Sequence, residues 1–277
     1  MRRDAGGRAA DLAVAVEAAR AGGRAVMEWY GRDDLDVEDP TGRGPVTRAD
    51  RAAHAAIGAV LAARAPGEAV RSEEAAVSGA VDAGRLWVVD PLDGTREFID
   101  RIPEFCVMVG LAEAGRAVLG AFYQPVQNRL YAGIAAGGAW RIEGAESEPL
   151  SAFGPAPPRP RMVQSRSHPD PRLAALAAAL GEPDVVVSGS VGSKCALLAE
   201  GRAELYVHPV PHLREWDTCA PEAVLRGAGG HVSDCAGHPL TYGKPDPAQP
   251  LGIFAARPGL ADGVADAVLR FAPPRAG

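Results

Sequence analysis

Trp87-Val88-Val89-Asp90-Pro91-Leu92-Asp93-Gly94-Thr95 is the stretch on which the reading of this chain turns. Leu86 to Val89 have the length and β-branched content of a buried strand. The run ends abruptly in two carboxylates, Asp90 and Asp93. Pro91 removes a backbone donor and stiffens the bend. Gly94 tolerates backbone angles that other residues avoid and lets a ligand approach the main chain. Two carboxylates forced together at a strand end repel each other unless a cation lies between them. Hard cations such as Mg2+ take oxygen ligands and share them with substrate phosphates. The loop therefore reads as one side of a metal–phosphate site, with an Asx turn closed by Gly94 as the plainer alternative.

Around this loop the composition is ordinary. The chain has 277 residues, 47% apolar and 23% charged, enough for one large domain or two modest ones. A net charge of −6 argues against a nucleic-acid coat and against binding to an anionic membrane surface. No apolar run reaches the ~18 residues of a membrane helix. Met1-Arg2-Arg3 is followed by Asp4, Asp11 and Glu17, which does not fit a signal peptide. Cys106, Cys195, Cys219 and Cys235 are scattered through apolar contexts without metal-type spacing, as in a reduced cytoplasmic protein. Of 29 basic residues only Lys194 and Lys244 are lysine, which draws notice to both.

Outward from the loop, residues 10–30 carry an Ala-rich amphipathic helical pattern, and 31–46 the Asp, Pro and Gly of a long loop. Thr47 to Asp50 open a second helix to about Arg64 in a capping-box-like arrangement. Apolar segments at 105–112 and 117–124 predict antiparallel strands. Gly, Pro, Ser and Glu dominate 144–162, the best linker candidate. Beyond it, helix 171–180, strand 184–188, helix 192–200, strand 203–207, helix 217–228 and strand 230–234 alternate as α/β units do. The expected organisation is an α+β part over 1–150 and an α/β part over 160–277.

Further acidic groups flank the loop. Taken alone, Asp50 reads as a helix cap and Glu73-Glu74 as a solvated turn. Trp216-Asp217-Thr218 begins a helical pattern, so Asp217 stands near a helix N-terminus, where a carboxylate serves as a cap or as a metal ligand. The run Ser188-Gly189-Ser190-Val191-Gly192-Ser193 before Lys194 suits an anion-binding nest, although Lys194 also reads as a solvated helix residue. His168 stands open between a ligand contact and an ordinary strand-end histidine. His208 and His212 read as loop residues. No Walker A, dinucleotide Gly-x-Gly-x-x-Gly or Gly-x-Ser-x-Gly motif occurs.

Taken in order, Pro45-Val46-Thr47-Arg48-Ala49-Asp50, Ser72-Glu73-Glu74, Val89 to Thr95 and Trp216-Asp217-Thr218 resemble the motifs of the inositol monophosphatase superfamily. These are metal-dependent, lithium-sensitive phosphatases, and the resemblance runs from residue 10 to residue 256. Details look like the 3'(2'),5'-bisphosphate nucleotidase branch. They are Arg96-Glu97-Phe98-Ile99, Ser165-Arg166-Ser167-His168, the loop with Ser190, Gly192 and Lys194, and Trp216 to Glu222 followed by Gly229-Gly230. One departure stands out: relatives often carry a lysine before the Val-Thr-x-x-Asp element, where this chain has Val37-Glu38-Asp39-Pro40, with Arg43 the nearest base.

The resemblance implies a layered αβαβα fold, α+β and α/β in character, with Glu73, Asp90, Asp93, Asp217 and the Leu92 carbonyl as ligands of two or three Mg2+ ions. It gives catalytic roles to Asp50, Glu73 and Thr95: Thr95, held by Asp50, activates a water beside Glu73. Substrate contacts fall to Gly94, Thr95, His168, Ser190, Lys194 and Asp217. The implied reaction removes the 3'-phosphate of adenosine 3',5'-bisphosphate to give AMP. An inositol monophosphatase with the same metal chemistry is the alternative, and a catalytically silent metal- or nucleotide-binding protein that keeps the fold a more distant one. The expected partner is a small phosphate ester, not a nucleic acid or membrane, and the expected state is a cytoplasmic monomer or homodimer.

Overall fold

The computed structural model describes residues 5–39, 44–78, 84–150 and 157–271. Two helices come first: α1 (Ala5–Met27) and α2 (Arg48–Arg64). An eight-stranded sheet follows, from β1 (Ala69–Ser72), β2 (Ala75–Ser78), β3 (Arg85–Asp93), β4 (Cys106–Glu113), β5 (Arg116–Gln124), β6 (Arg129–Ile134), β7 (Gly138–Glu143) and β8 (Glu146–Pro149). The short helix α3 (Thr95–Ile99) interrupts it after β3. The second half alternates β9 (Arg161–Ser165), α4 (Pro171–Ala179), β10 (Asp184–Ser188), α5 (Val191–Ala199), β11 (Leu205–His208), α6 (Glu215–Gly227), β12 (His231–Ser233), β13 (Ile253–Ala256) and α7 (Leu260–Phe271). Its five strands are ordered β10-β9-β11-β13-β12. Among the described residues no helix is long and apolar enough to cross a membrane.

Three apolar clusters stack these elements into five layers. One cluster joins Ala15, Ala18, Ala19, Ile57 and Leu61 of α1 and α2 to Trp87, Val89, Val107 and Leu119 on one face of the large sheet. A second fills the space between that sheet's other face and the small sheet: Met108 and Phe122 meet Cys195, Ala220 and Val224 of α5 and α6, which also meet Val163, Tyr206 and Ala255. A third packs α4 and α7 onto the outer face of the small sheet through Leu173, Leu176, Val264, Val268 and Phe254. The order is helix, sheet, helix, sheet, helix, the layered αβαβα arrangement implied by the sequence motifs.

The seat of α6 is set by glycine. Gly110, Gly120 and Gly133 lie in register across β4, β5 and β6. A Cβ at Gly120 would stand 2.5 Å from the Ala220 Cα, and one at Gly133 2.7 Å from the Val224 Cα. The helix backbone therefore rests directly on the strands, which fixes its position along the sheet more tightly than side-chain packing alone could.

Several boundaries move from the sequence reading. The first helix ends at Met27 rather than 30, and the last strand of the alternating series is only His231–Ser233. The linker expected over 144–162 is partly sheet: Glu146–Pro149 is an exposed edge strand paired with β7, Trp140 opposite Pro149. Pairing across a short turn formed it, with no apolar alternation to announce it.

Candidate active site

At the carboxyl end of β3 the ladder to β4 changes step. Asp90 faces Met108 and Asp93 faces Cys106, so Pro91 and Leu92 together oppose Val107. Residues three apart on an unbroken strand point to opposite faces; the bulge supplies the extra residue that brings Asp90 and Asp93 to the same side. Pro91, lacking an N–H, fits where the ladder is already interrupted. The Leu92 N–H donates to Asp90 Oδ1 at 3.0 Å, closing an Asx turn. Both readings of this loop thus coexist: the turn is the device that presents the carboxylates.

Gly94 then takes φ 94° and serves as N-cap of α3. A Cβ here would lie 3.1 Å from both the Glu104 carbonyl and the Ser190 Cβ. Thr95 follows, its hydroxyl 3.1 Å from Asp50 Oδ1 and 3.0 Å from the Leu92 carbonyl. Asp50 is buried, and its other oxygen, Oδ2, accepts from the Thr47 N–H at 2.7 Å and the Thr47 hydroxyl at 2.6 Å. One carboxylate therefore caps α2 and fixes Thr95 at once.

Glu73 leaves the end of β1, where its N–H donates to the Val89 carbonyl at 3.2 Å. Asp217 sits in the first turn of α6, with Oδ2 accepting the Arg214 N–H at 2.5 Å, the cap that the sequence left as one of two options. Asp93 is held most heavily. Its Oδ2 accepts from the Ser190 hydroxyl at 2.6 Å and the Gly192 N–H at 2.7 Å, and its Oδ1 from the Val191 N–H at 3.1 Å. The nest at the start of α5 is thus directed at a carboxylate of the chain itself. Ser190 adopts φ 51°, a strained angle for a side-chain-bearing residue, while its hydroxyl also accepts the Ser193 N–H at 3.0 Å.

These acids act on one another electrostatically. Burial first, then the charges of Glu73, Asp93 and Asp217, push the Asp90 carboxyl well above the usual range. Glu73 remains open to solvent, yet the protein crowded round it, followed by Asp217, Glu74, Asp50 and Asp93, raises it as well. Burial brings Asp217 up to about 7, with Asp93 adding to the rise and the Arg214 N–H opposing it. Asp50 is raised by burial, against the hydrogen bonds from Thr47 and Thr95.

Among the described residues no three Asp, Glu, His or Cys side chains are already gathered round one point that would hold an ion. The donor chemistry nevertheless fits a hard cation. Every candidate ligand is an oxygen, the carboxylates carry unfavourable mutual repulsion, and a divalent ion relieves it.

The substrate residues inferred from sequence are placed unevenly. Lys194 is buried in α5, its Nζ 5.6 Å from the Tyr206 ring centroid, and burial lowers its pKa. His168 is exposed at the end of β9, and its N–H donates to the Ser165 hydroxyl at 3.2 Å. Glu38, in the loop where relatives carry lysine, pairs through its backbone with Val46, and Arg43 lies outside the described residues. The sequence reading missed two carboxylates that tie α3 and its following turn to the loops of the small sheet. Glu97 accepts from the Ser167 hydroxyl, while Glu104 accepts from Arg166 Nε at 2.9 Å and from the Gly189 N–H at 2.7 Å. Glu97 lay within the run Arg96 to Ile99 and was there to be noticed; Glu104 had no local signal.

The model of the inositol monophosphatase family matches residues 9–269. The 3'(2'),5'-bisphosphate nucleotidase CysQ of Escherichia coli K12 is 41% identical over 227 residues, covering 81% of this chain and 90% of that one. The crystal structure of CysQ from Bacteroides thetaiotaomicron superposes with a TM-score of 0.76 at 34% identity, over 89% of this chain and 97% of that one. The inositol monophosphatase of Anabaena gives a TM-score of 0.75 at 27% identity, over 95% of this chain and 96% of that one.

Proposed function

The chain belongs to the inositol monophosphatase family, and from that premise we propose that it is a 3'(2'),5'-bisphosphate nucleotidase. Its substrate is a small phosphate ester: it removes the 3'-phosphate of adenosine 3',5'-bisphosphate, giving AMP and inorganic phosphate. The observation that carries the choice is the 41% identity to CysQ along most of the chain, against 27% to the Anabaena inositol monophosphatase.

Glu73, Asp90, Asp93, Asp217 and the Leu92 carbonyl are the groups that would hold Mg2+, in two or three ions. Bound there, Mg2+ supplies charge neutralisation for the phosphate and acidifies a coordinated water. The rest is done by the chain. Thr95 donates to Asp50, which leaves its oxygen lone pairs to accept a hydrogen bond from the attacking water. As that water adds to phosphorus, its proton passes to Thr95 Oγ1, and the Thr95 proton passes to Asp50 Oδ1. The burial that raises the Asp50 pKa makes it the stronger base. Ser190, Val191 and Gly192 keep Asp93 from swinging away.

Chromatography of the products formed from adenosine 3',5'-bisphosphate in Mg2+ tests the reading. AMP with inorganic phosphate is the expected pair. Adenosine 3'-phosphate, or no product at all, would contradict it.

A further inference from the structure

Asp217 and Glu73 come from distant parts of the chain, and one buried ion pair joins the two segments that carry them. Arg71, in β1, lies two residues before Glu73; Glu215, the first residue of α6, lies two before Asp217. Arg71 Nη1 meets Glu215 Oε2 at 2.6 Å, with side-chain exposures of 9% and 0%. The Glu215 carboxylate is otherwise filled by backbone: Oε2 accepts the Gly243 N–H at 2.9 Å and Oε1 the Lys244 N–H at 3.0 Å. The Glu215 N–H in turn donates to the Pro247 carbonyl at 2.9 Å.

Each segment also has contacts of its own that hold it in the fold. The glycine stripe of Gly110, Gly120 and Gly133 seats α6 on the large sheet. β1 is laddered to β2 on one side and β3 on the other. The pair adds a direct, buried strut between the end of β1 and the start of α6. A guanidinium meeting a carboxylate is short, directional and hard to displace once water is excluded.

We propose that Arg71 and Glu215 are positioning residues that set the separation of the Glu73 and Asp217 carboxylates, so that metal affinity, more than folding, depends on them. The inference rests on the reading of Glu73 and Asp217 as metal ligands.

Mn2+ binding to the metal-free protein, measured by titration calorimetry, tests this, with thermal unfolding in EDTA recorded alongside. Arg71→Met is expected to weaken Mn2+ binding by ~10–100-fold, the usual cost of losing a group that orients a ligand. Arg71→Lys is expected to recover most of that loss. Wild-type Mn2+ affinity in folded Arg71→Met overturns the inference. If Arg71→Met does not fold, Arg71→Gln carries the test, since it removes the charged contact and leaves Glu215 Oε2 and Oε1 accepting from the Gly243 and Lys244 N–H groups; wild-type affinity there overturns it equally. Asp217→Asn separates the two levels. Loss of binding there with normal binding in Arg71→Met defeats the strut alone, whereas normal binding in Asp217→Asn defeats the metal site and the strut with it.

Discussion

The Thr95 hydroxyl lies 3.1 Å from Asp50 Oδ1, and that contact joins a helix cap to the group we propose activates the water. Thr95→Val keeps the shape but removes the relay, and its kcat is expected to fall by ~10²–10⁴. Thr95→Ser is expected to retain most of the activity. Asp50→Asn weakens the α2 cap as well, so a stability loss of ~0.5–2 kcal/mol should accompany its loss of activity. Comparable kcat in Thr95→Val and the parent protein would remove Thr95 from the mechanism.

Asp93→Asn replaces a carboxylate that accepts from Ser190, Val191 and Gly192. The amide nitrogen can accept from none of them, so the start of α5 loosens as the candidate metal site loses a charge. A fall in kcat of at least ~10³ is expected. Steady-state kinetics at saturating Mg2+ decide it; near-parental kcat would sink the assignment of Asp93.

Asp217, at about 7, and the raised Glu73 and Asp90 keep their protons in the folded, metal-free chain where the unfolded chain has released them. Folding therefore takes up protons, and that stabilisation is full below the ordinary carboxylate pKa of about 4 and is lost as pH rises through about 7. His168, His208 and His231 have lowered pKa values and act the other way. Above about pH 6.5, however, they are already mostly neutral in the unfolded chain as well. In EDTA, Tm is therefore expected to fall between about pH 6.5 and 8, by ~2–4 °C for each kcal/mol lost in a chain of this size. Mg2+ should bind more tightly over the same interval, because only the deprotonated carboxylates coordinate it. A Tm that climbs with pH in EDTA would contradict the raised carboxyls that burial and mutual repulsion give the site.

Gly94→Ala places a Cβ 3.1 Å from the Glu104 carbonyl and from the Ser190 Cβ, at φ 94°. A cost of ~1–2 kcal/mol is expected from the backbone angle alone. The displaced Ser190 would relax its hold on Asp93, so activity should fall further than stability. Chemical denaturation and kcat measured on one preparation check both halves.

How much of this the sequence disclosed follows from the range of each signal. The α2 cap, the strand into Asp90 and the alternating second half were legible because caps, periodicity and turn residues act within a few positions. β8, with Glu146–Pro149 wholly exposed, was not, since only its pairing with β7 defines it. In the site, the motifs pointed to acids whose charges act on one another, and the structure supplied what holds them. Asp50, read as a cap or a catalytic group, caps α2 and also accepts from the Thr95 hydroxyl. The nest before Lys194 was legible as an anion binder, but its occupant, Asp93, lies about 100 residues away and had no local mark. Arg71 and Glu215, 144 residues apart, gave no sign of each other.

Phosphate release from adenosine 3',5'-bisphosphate and from inositol 1-phosphate, each with Mg2+ and with EDTA, tests the central claim most directly. The account predicts faster turnover of the nucleotide, abolished by EDTA and restored by added Mg2+. Faster turnover of inositol 1-phosphate, or nucleotide hydrolysis undiminished by EDTA, would contradict it.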